Sequence, residues 1–208
     1  MAWDTERTRT LLLEAATAEF ATHGIAGGRI DRIALAAGIN KERLYSYFGG
    51  KETLFDTVLE HQLSRAGDDV PPPAADTGPG GVADYAAGLL ARHRSDPSLA
   101  RLLLWEGLER GKAVAAERRA SQAAEKAAAI AGALPGMTTA QAQHLLLTIL
   151  TLANAWATLP NLTGMCGQEG EALVSAIRSA VLTLAESAGA PAAGRRPRRH
   201  KHPGVPAT

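Results

Sequence analysis

Arg29, Lys41, Glu42, Arg43, Tyr45, Tyr47 and Lys51 crowd into one short part of the chain, around the segment INKERLYSYFGGKETLF that runs from Ile39 to Phe55. Arginine and lysine donate to phosphate oxygens and to guanine O6 and N7, and glutamate accepts from cytosine N4. Tyrosine offers a hydroxyl to phosphate and a ring to a thymine methyl or a sugar. Such a set grips a nucleic-acid duplex, provided that the backbone carries Lys41, Glu42 and Arg43 to base edges and leaves the others against phosphate. Lys41, Glu42 and Arg43 together point to half-sites containing G·C pairs.

The flanking residues supply that backbone. Apolar residues at three- and four-residue spacing predict a first helix from after Asp4 or Thr5 to about Thr22, with Leu12, Ala15, Ala16 and Phe20 on one face and Gly24 as its stop. A short second helix covers about Ile30 to Ala37. Gly38 then turns the chain and returns Ile39 to the core. Asn40 is an N-cap for a third helix, Lys41 to Phe48, in which Leu44 and Phe48 face inward and the charged and tyrosyl residues face out or sideways. Gly49 and Gly50 end it, and Lys51 opens a fourth helix with Leu54, Phe55, Val58 and Leu59 in register. Two helices joined by a tight glycine turn and braced on either side have the plan of a helix-turn-helix module.

The stretch GRIDRIALAAGINKERLYSYFGGKETLF resembles the DNA-binding segment of TetR-family transcriptional regulators, through Ile33-Ala34, Ala37-Gly38-Ile39, Leu44-Tyr45, Tyr47-Phe48 and Lys51-Glu52. Upstream, Ala16, Phe20 and Gly24 match as well. The resemblance covers about the first sixty residues, and beyond them it is one of helix count, length and order. It implies a recognition helix whose N-terminal residues enter the major groove of double-stranded operator DNA. Lys51 would add its charge to the amides at the start of the fourth helix. Two positions depart from the family pattern: Gly27-Gly28-Arg29 stands where a small hydroxyl residue usually caps the second helix, and Glu42 where a small residue is common. Arg29 is the expected substitute for the lost phosphate contact.

The rest of the chain fits an all-α protein: an N-terminal three-helix helix-turn-helix domain followed by a larger helical ligand-binding and dimerisation domain. Alternating strand patterns are absent. The expected division is a helix-turn-helix domain at 1–50, a connecting helix at 51–66, a loop at 67–81 (the GDDVPPPAADTGPGG stretch), an effector-binding and dimerisation domain at 82–188, and a disordered basic tail at 189–208. The net charge of +1 conceals that tail: removing its Arg195, Arg196, Arg198, Arg199 and Lys201 from the 22 basic residues leaves 17 against 21 acids. Affinity for DNA in the body must therefore come from local placement of charge. The tail is equally readable as an added nonspecific DNA contact or as a solubilising segment.

Further helices are expected at about 82–94, from Asp96-Pro97 onward, at 113–133, from Thr138 or Thr139 to Leu159, and at 169–187. Leu145 to Leu159 is too short and too polar for a membrane span, and the charged N-terminus lacks a signal peptide, so the expected location is cytoplasmic. The apolar girth of the 139–159 helix implies burial on more than one side, and pairing with the last helix across a two-fold axis would make a homodimer suited to a palindromic site. The family resemblance further implies a pocket for a small-molecule effector of unknown identity, emptied or filled to change DNA affinity. Residue type nominates Leu102, Trp105, Glu106, Met137, His144, Asn154, Trp156 and Met165 as its lining. Glu106, Glu109 and Arg110 otherwise read as a solvated helix end.

Single Cys166 excludes an intrachain disulfide and a Cys-based metal cluster. No cofactor, no metal site and no catalytic residues are expected, because hydrolase, zinc-protease, phosphate-loop and di-metal signatures are all missing. The expected function is that of a dimeric sequence-specific DNA-binding transcriptional regulator, a repressor released from operator DNA by a small-molecule ligand; the alternative is a helical protein-interaction adaptor whose helix-turn-helix no longer binds DNA.

Overall fold

The computed structural model describes residues 2–165 and 170–189. Cys166 and the basic tail lie outside those residues, as does the side chain of Trp3. Ten helices are present and no strands among the described residues: α1 (Ala2–Gly27), α2 (Ile30–Ala36), α3 (Lys41–Phe48), α4 (Lys51–Asp69), α5 (Gly78–Ser95), α6 (Ser98–Glu109), α7 (Ala116–Ala133), α8 (Thr139–Thr158), α9 (Pro160–Met165) and α10 (Glu171–Gly189). None of them is long and apolar enough to cross a membrane.

The helices build two apolar cores. In the first, Leu12, Ala16 and Phe20 repeat every four residues along α1 and meet Ile33 of α2, Leu44 and Phe48 of α3, and Leu54, Phe55, Val58 and Leu59 of α4. Phe20 and Phe55 pack edge to face at 5.5 Å. Gln62 donates to the Thr17 hydroxyl at 3.3 Å, so the buried polar pair satisfies itself. The second core is made by α5, α7, α8 and α10, with Leu90, Ile130, Ile149 and Val181 fully enclosed. Salt bridges Arg178–Asp84 and Arg94–Glu171 run α10 antiparallel along α5.

Helix α6 joins the two. Although it follows α5 in sequence, its Leu99 and Leu102 lie in the first core, together with Val114 from the following loop. A packing boundary therefore does not coincide with the proline-rich loop.

Several element ends differ from the sequence expectation. Helix α1 begins at Ala2 rather than after Asp4 or Thr5. Gly24 (φ 68°, ψ −171°) is also a break within it rather than its stop, because the helical turn resumes as far as Gly27. Helix α4 runs on through the Gly-Asp-Asp stretch to Asp69, whose carboxylate accepts from Arg92 of α5 at 2.9 Å; it ends ahead of Pro71 to Pro73, where ring sterics forbid helix. Helix α5 opens early, at Gly78, with Pro79 in the first turn, where a missing N–H costs no bond. The loop between them thus shrinks to 70–77. Helix α7 starts late, behind Ala115, which holds a left-handed conformation (φ 49°). Pro160 opens the short helix α9 rather than only closing α8. Of the two expected caps, Thr138 is the one that caps α8, in a reciprocal arrangement with Gln141.

Candidate nucleic-acid interface

The turn between α2 and α3 is set by local bonds. The Gly38 and Ile39 amides donate back to Leu35 and Ala34 carbonyls at 3.1 and 3.0 Å, and Gly38 takes the left-handed φ of 68° that a Cβ would oppose. Asn40 Oδ1 then accepts from the Arg43 amide at 2.9 Å, the cap that starts α3. With Leu44 and Phe48 buried, Lys41, Glu42, Arg43 and Tyr45 stand exposed on the opposite side, Tyr45 with 42% of its surface open. Tyr47 is half-buried: it tilts against Phe48 at 6.1 Å and lies beneath the Arg43 guanidinium at 6.0 Å.

The cations of this face have different surroundings. Lys41 Nζ sits 2.9 Å from Asp31 in the first turn of α2, and that hydrogen bond and charge raise its pKa. Lys51 turns inward and donates to the Ala26 and Gly28 carbonyls, each at 3.3 Å, closing the end of α1 rather than standing clear at the start of α4. Arg29 is exposed and its guanidinium has no partner among the described residues, while its amide donates to Glu19 at 2.7 Å.

Glu19 was not legible as a site residue. From α1 it accepts the Arg29 amide and holds the Arg32 guanidinium through Nε at 2.8 Å and Nη2 at 2.5 Å. Burial acts to raise the Glu19 pKa, but the Arg32 hydrogen bonds and charge and the Arg29 N–H outweigh it and hold the carboxyl below its ordinary value. This long-range carboxylate fixes the Arg29 amide at the entry to α2, while no side chain at Arg29 caps the first turn of the helix.

Glu109 was also missed. The solvated helix end expected at Glu106, Glu109 and Arg110 is instead fully engaged. Glu109 Oε2 accepts from the Ile25 and Ala26 amides at 2.6 and 3.0 Å, just beyond the Gly24 break. Arg110 bonds Asp56 of α4 at 2.8 Å. Glu106 is buried, pairs with Arg119 at 2.8 Å and accepts the Val114 amide at 2.6 Å. A Cβ at Gly24 would lie 2.7 Å from both the Glu109 carboxylate and the Trp105 ring, so the close approach of α6 to α1 requires glycine there.

The eight nominated pocket residues do not gather in one place. Leu102 is enclosed in the first core, and Trp105 lies over Gly24 with its Nε1 donating to Ala21 O at 3.4 Å. Met137 belongs to the second core, His144 is exposed, Trp156 lies half-buried under the Arg94 guanidinium at 5.6 Å, and Met165 is 79% exposed. Asn154 has its Oδ1 buried without a partner, as do Tyr85 at its hydroxyl and His93 at Nδ1, both on α5 in the same half of the molecule. Two open grooves, of about 190 Å³ (Asp56, Arg110, Lys112) and about 360 Å³ (Arg9, His61, Arg118), are lined by charged residues and by none of the eight. Among the described residues no His, Cys, Asp and Glu cluster could hold a metal ion.

An exposed basic and tyrosyl helix held by a glycine turn over one core, with a second helical core attached, defines a helix-turn-helix DNA-binding protein with a separate helical body. Residues 12–58 match the family described as bacterial regulatory proteins, tetR family, and residues 81–186 match the tetracyclin repressor-like C-terminal domain. The chain is 37% identical over 183 residues to the HTH-type transcriptional repressor SCO4008 of Streptomyces coelicolor, covering 86% of this chain and 93% of that protein. Over 56 residues it is 48% identical to the HTH-type transcriptional repressor NicS of Pseudomonas putida, covering 27% of this chain and 26% of NicS. The crystal structure of SCO4942 from Streptomyces coelicolor superposes with a TM-score of 0.67 at 31% identity, covering 86% of this chain and 97% of that one. The chain belongs to the TetR family: it is a DNA-binding transcriptional regulator, of a family of regulators rather than enzymes.

Proposed function

We propose that this regulator is a dimeric, cytoplasmic repressor that binds a palindromic operator through α3 and is released when a small molecule occupies its second core. The observation that carries the reading is the division of α3, with Leu44 and Phe48 buried while Lys41, Arg43 and Tyr45 face solvent beside an exposed Arg29. One such helix reads half a site, and tight operators use two, about one helical turn apart. The surface for pairing is the apolar one left on α8, α9 and α10, where Leu147 is 65%, Leu162 51% and Leu184 43% exposed. Two relatives carry the name repressor, which favours negative regulation.

The effector reading draws support from Tyr85 in the second core and from His93 and Asn154 on α5 and α8, each with a buried polar atom that has no partner among the described residues. Such atoms are costly unless something bonds to them. A ligand with an apolar body and a few hydrogen-bonding groups fits that need.

The test is selection of bound duplexes from a random library by the purified protein, with the double variant Lys41→Ala/Tyr45→Ala as control. Enrichment of a palindrome by the wild type alone is expected. If neither protein enriches any sequence at low salt, the α2–α3 pair is a protein-docking scaffold instead.

A further inference from the structure

We propose that Asp31 is a specificity-determining residue of this regulator: its carboxylate engages Lys41 across the α2–α3 turn, so that Lys41 contributes to DNA binding only by leaving it. The proposal rests on the DNA-binding reading of α3.

Asp31 Oδ1 and Lys41 Nζ are 2.9 Å apart, and both side chains are open to solvent, at 75% and 47% exposure. The other ion-paired and inward-bonded cations nearby differ in this respect. Arg32 is tied to a Glu19 side chain that is only 10% exposed, and Lys51 is bonded to backbone carbonyls, so both are structural. Arg43 lies over Tyr47, and the Arg29 guanidinium has no partner among the described residues. Lys41 is thus the cation at the start of the recognition helix that is both paired and free to exchange. It is the first residue of α3, where side chains meet base edges.

The exchange has an asymmetric outcome. When a phosphate replaces Asp31, Lys41 trades one anionic oxygen for another, and the abandoned carboxylate is left beside the polyanion. The gain on an arbitrary sequence is therefore small. A guanine presenting O6 and N7 offers Lys41 acceptors that carry no full charge and that sit at a fixed place in the groove. Discrimination is a difference between two affinities, and a residue that weakens the wrong complex more than the right one increases it. Asp31 thus acts through Lys41: it competes with phosphate for that cation on any sequence, and a guanine held at a fixed place in the groove is what draws Lys41 away.

The experiment uses the full chain as wild type, Asp31→Asn, Lys41→Ala and the double variant. Binding to a labelled random-sequence duplex, and to the operator once selected, is followed by fluorescence anisotropy across a salt series. Asp31→Asn should tighten random-duplex binding by roughly two- to fivefold, the scale of an exposed ion pair. It should also steepen the slope of log K against log salt by about one unit, as Lys41 becomes a full phosphate contact. On the operator the gain should be smaller, and in the Lys41→Ala background Asp31→Asn should have little effect. An equal gain with and without Lys41 would overturn the proposal, because Asp31 would then act as an independent repulsive charge. Weaker binding by Asp31→Asn to both duplexes would overturn it too, showing that the pair merely positions α3. Wild type that binds no duplex at low salt would sink the DNA-binding reading itself, whereas wild-type binding left unchanged by Asp31→Asn would sink only the role of Asp31.

Discussion

His93 shows what a single side chain costs this fold. It is 6% exposed on α5, its Nδ1 lacks a partner, and burial first, with the Arg92 charge second, lowers its pKa to about 4 against an opposing effect of Asp96. A histidine whose folded pKa is depressed is neutral in the native state and takes up its proton more readily when unfolded. The native state is therefore at full advantage above pH 6.5, the ordinary histidine value, and loses it as pH falls toward about 4. Between pH 7 and pH 4.5 the loss from this group should be on the order of 2 kcal/mol. Urea unfolding of wild type and His93→Gln at the two pH values measures it: the variant should show a distinctly flatter dependence, and parallel curves would assign the acid sensitivity elsewhere. Glu19 and Asp31 mark the same scale on the DNA-facing module. Each is an acid whose partner cation, Arg32 or Lys41, lies ten or more residues away in the chain.

At the scale of elements, the junction of α6 with α1 carries the main mechanical consequence. Helix α6 belongs to the C-terminal body by sequence, yet it contributes Leu99 and Leu102 to the first core and its Glu109 carboxylate to the Ile25 and Ala26 amides. Those amides are exposed as free donors by the Gly24 break, and a carboxylate that accepts both acts as a cap supplied from another element. Glu109→Ala should cost about 1 kcal/mol, the scale of a lost helix cap. Amide exchange at Ile25 and Ala26 should accelerate while exchange in the second core stays unchanged. If those two amides exchange at the wild-type rate in Glu109→Ala, the carboxylate is a bystander and the contact is held by Leu99, Leu102 and Trp105.

For the whole molecule, the proposed dimer is tested at the remaining apolar surface. Leu147 is exposed across α8 from the buried Ile149, and Leu184 is exposed at the edge of the α10 face that buries Val181 and Ala185. The variant Leu147→Glu/Leu184→Glu should keep its helix content, because neither residue belongs to the core. It should sediment as a monomer where wild type sediments as a dimer. Its affinity for a two-half-site operator should fall by roughly 100-fold or more, since the second half-site would no longer be bound from the same particle. A wild type that is monomeric at micromolar concentration, or a variant that remains dimeric, would remove α8 and α10 from the interface.

The sequence by itself determined the local features: the apolar period of each helix, Asn40 before Lys41, Gly38 in the turn, a threonine cap at the start of α8, and the outward set Lys41, Glu42, Arg43 and Tyr45. These depend on neighbours within about one helical turn, and the spacing of residue types is enough to read them. Only the tertiary structure decided which cations on that face are already bonded. It turned Lys51 inward, gave Arg32 to Glu19 and Lys41 to Asp31, and made Glu109 a cap rather than a solvated residue. It also sent Leu102, Trp105 and Glu106 to the α1 side of the molecule and left Tyr85, His93 and Asn154 with buried polar atoms that have no partner among the described residues. The physical reason is the same in each case: helix period sets which way a side chain faces, but its partner depends on how helices far apart in sequence cross.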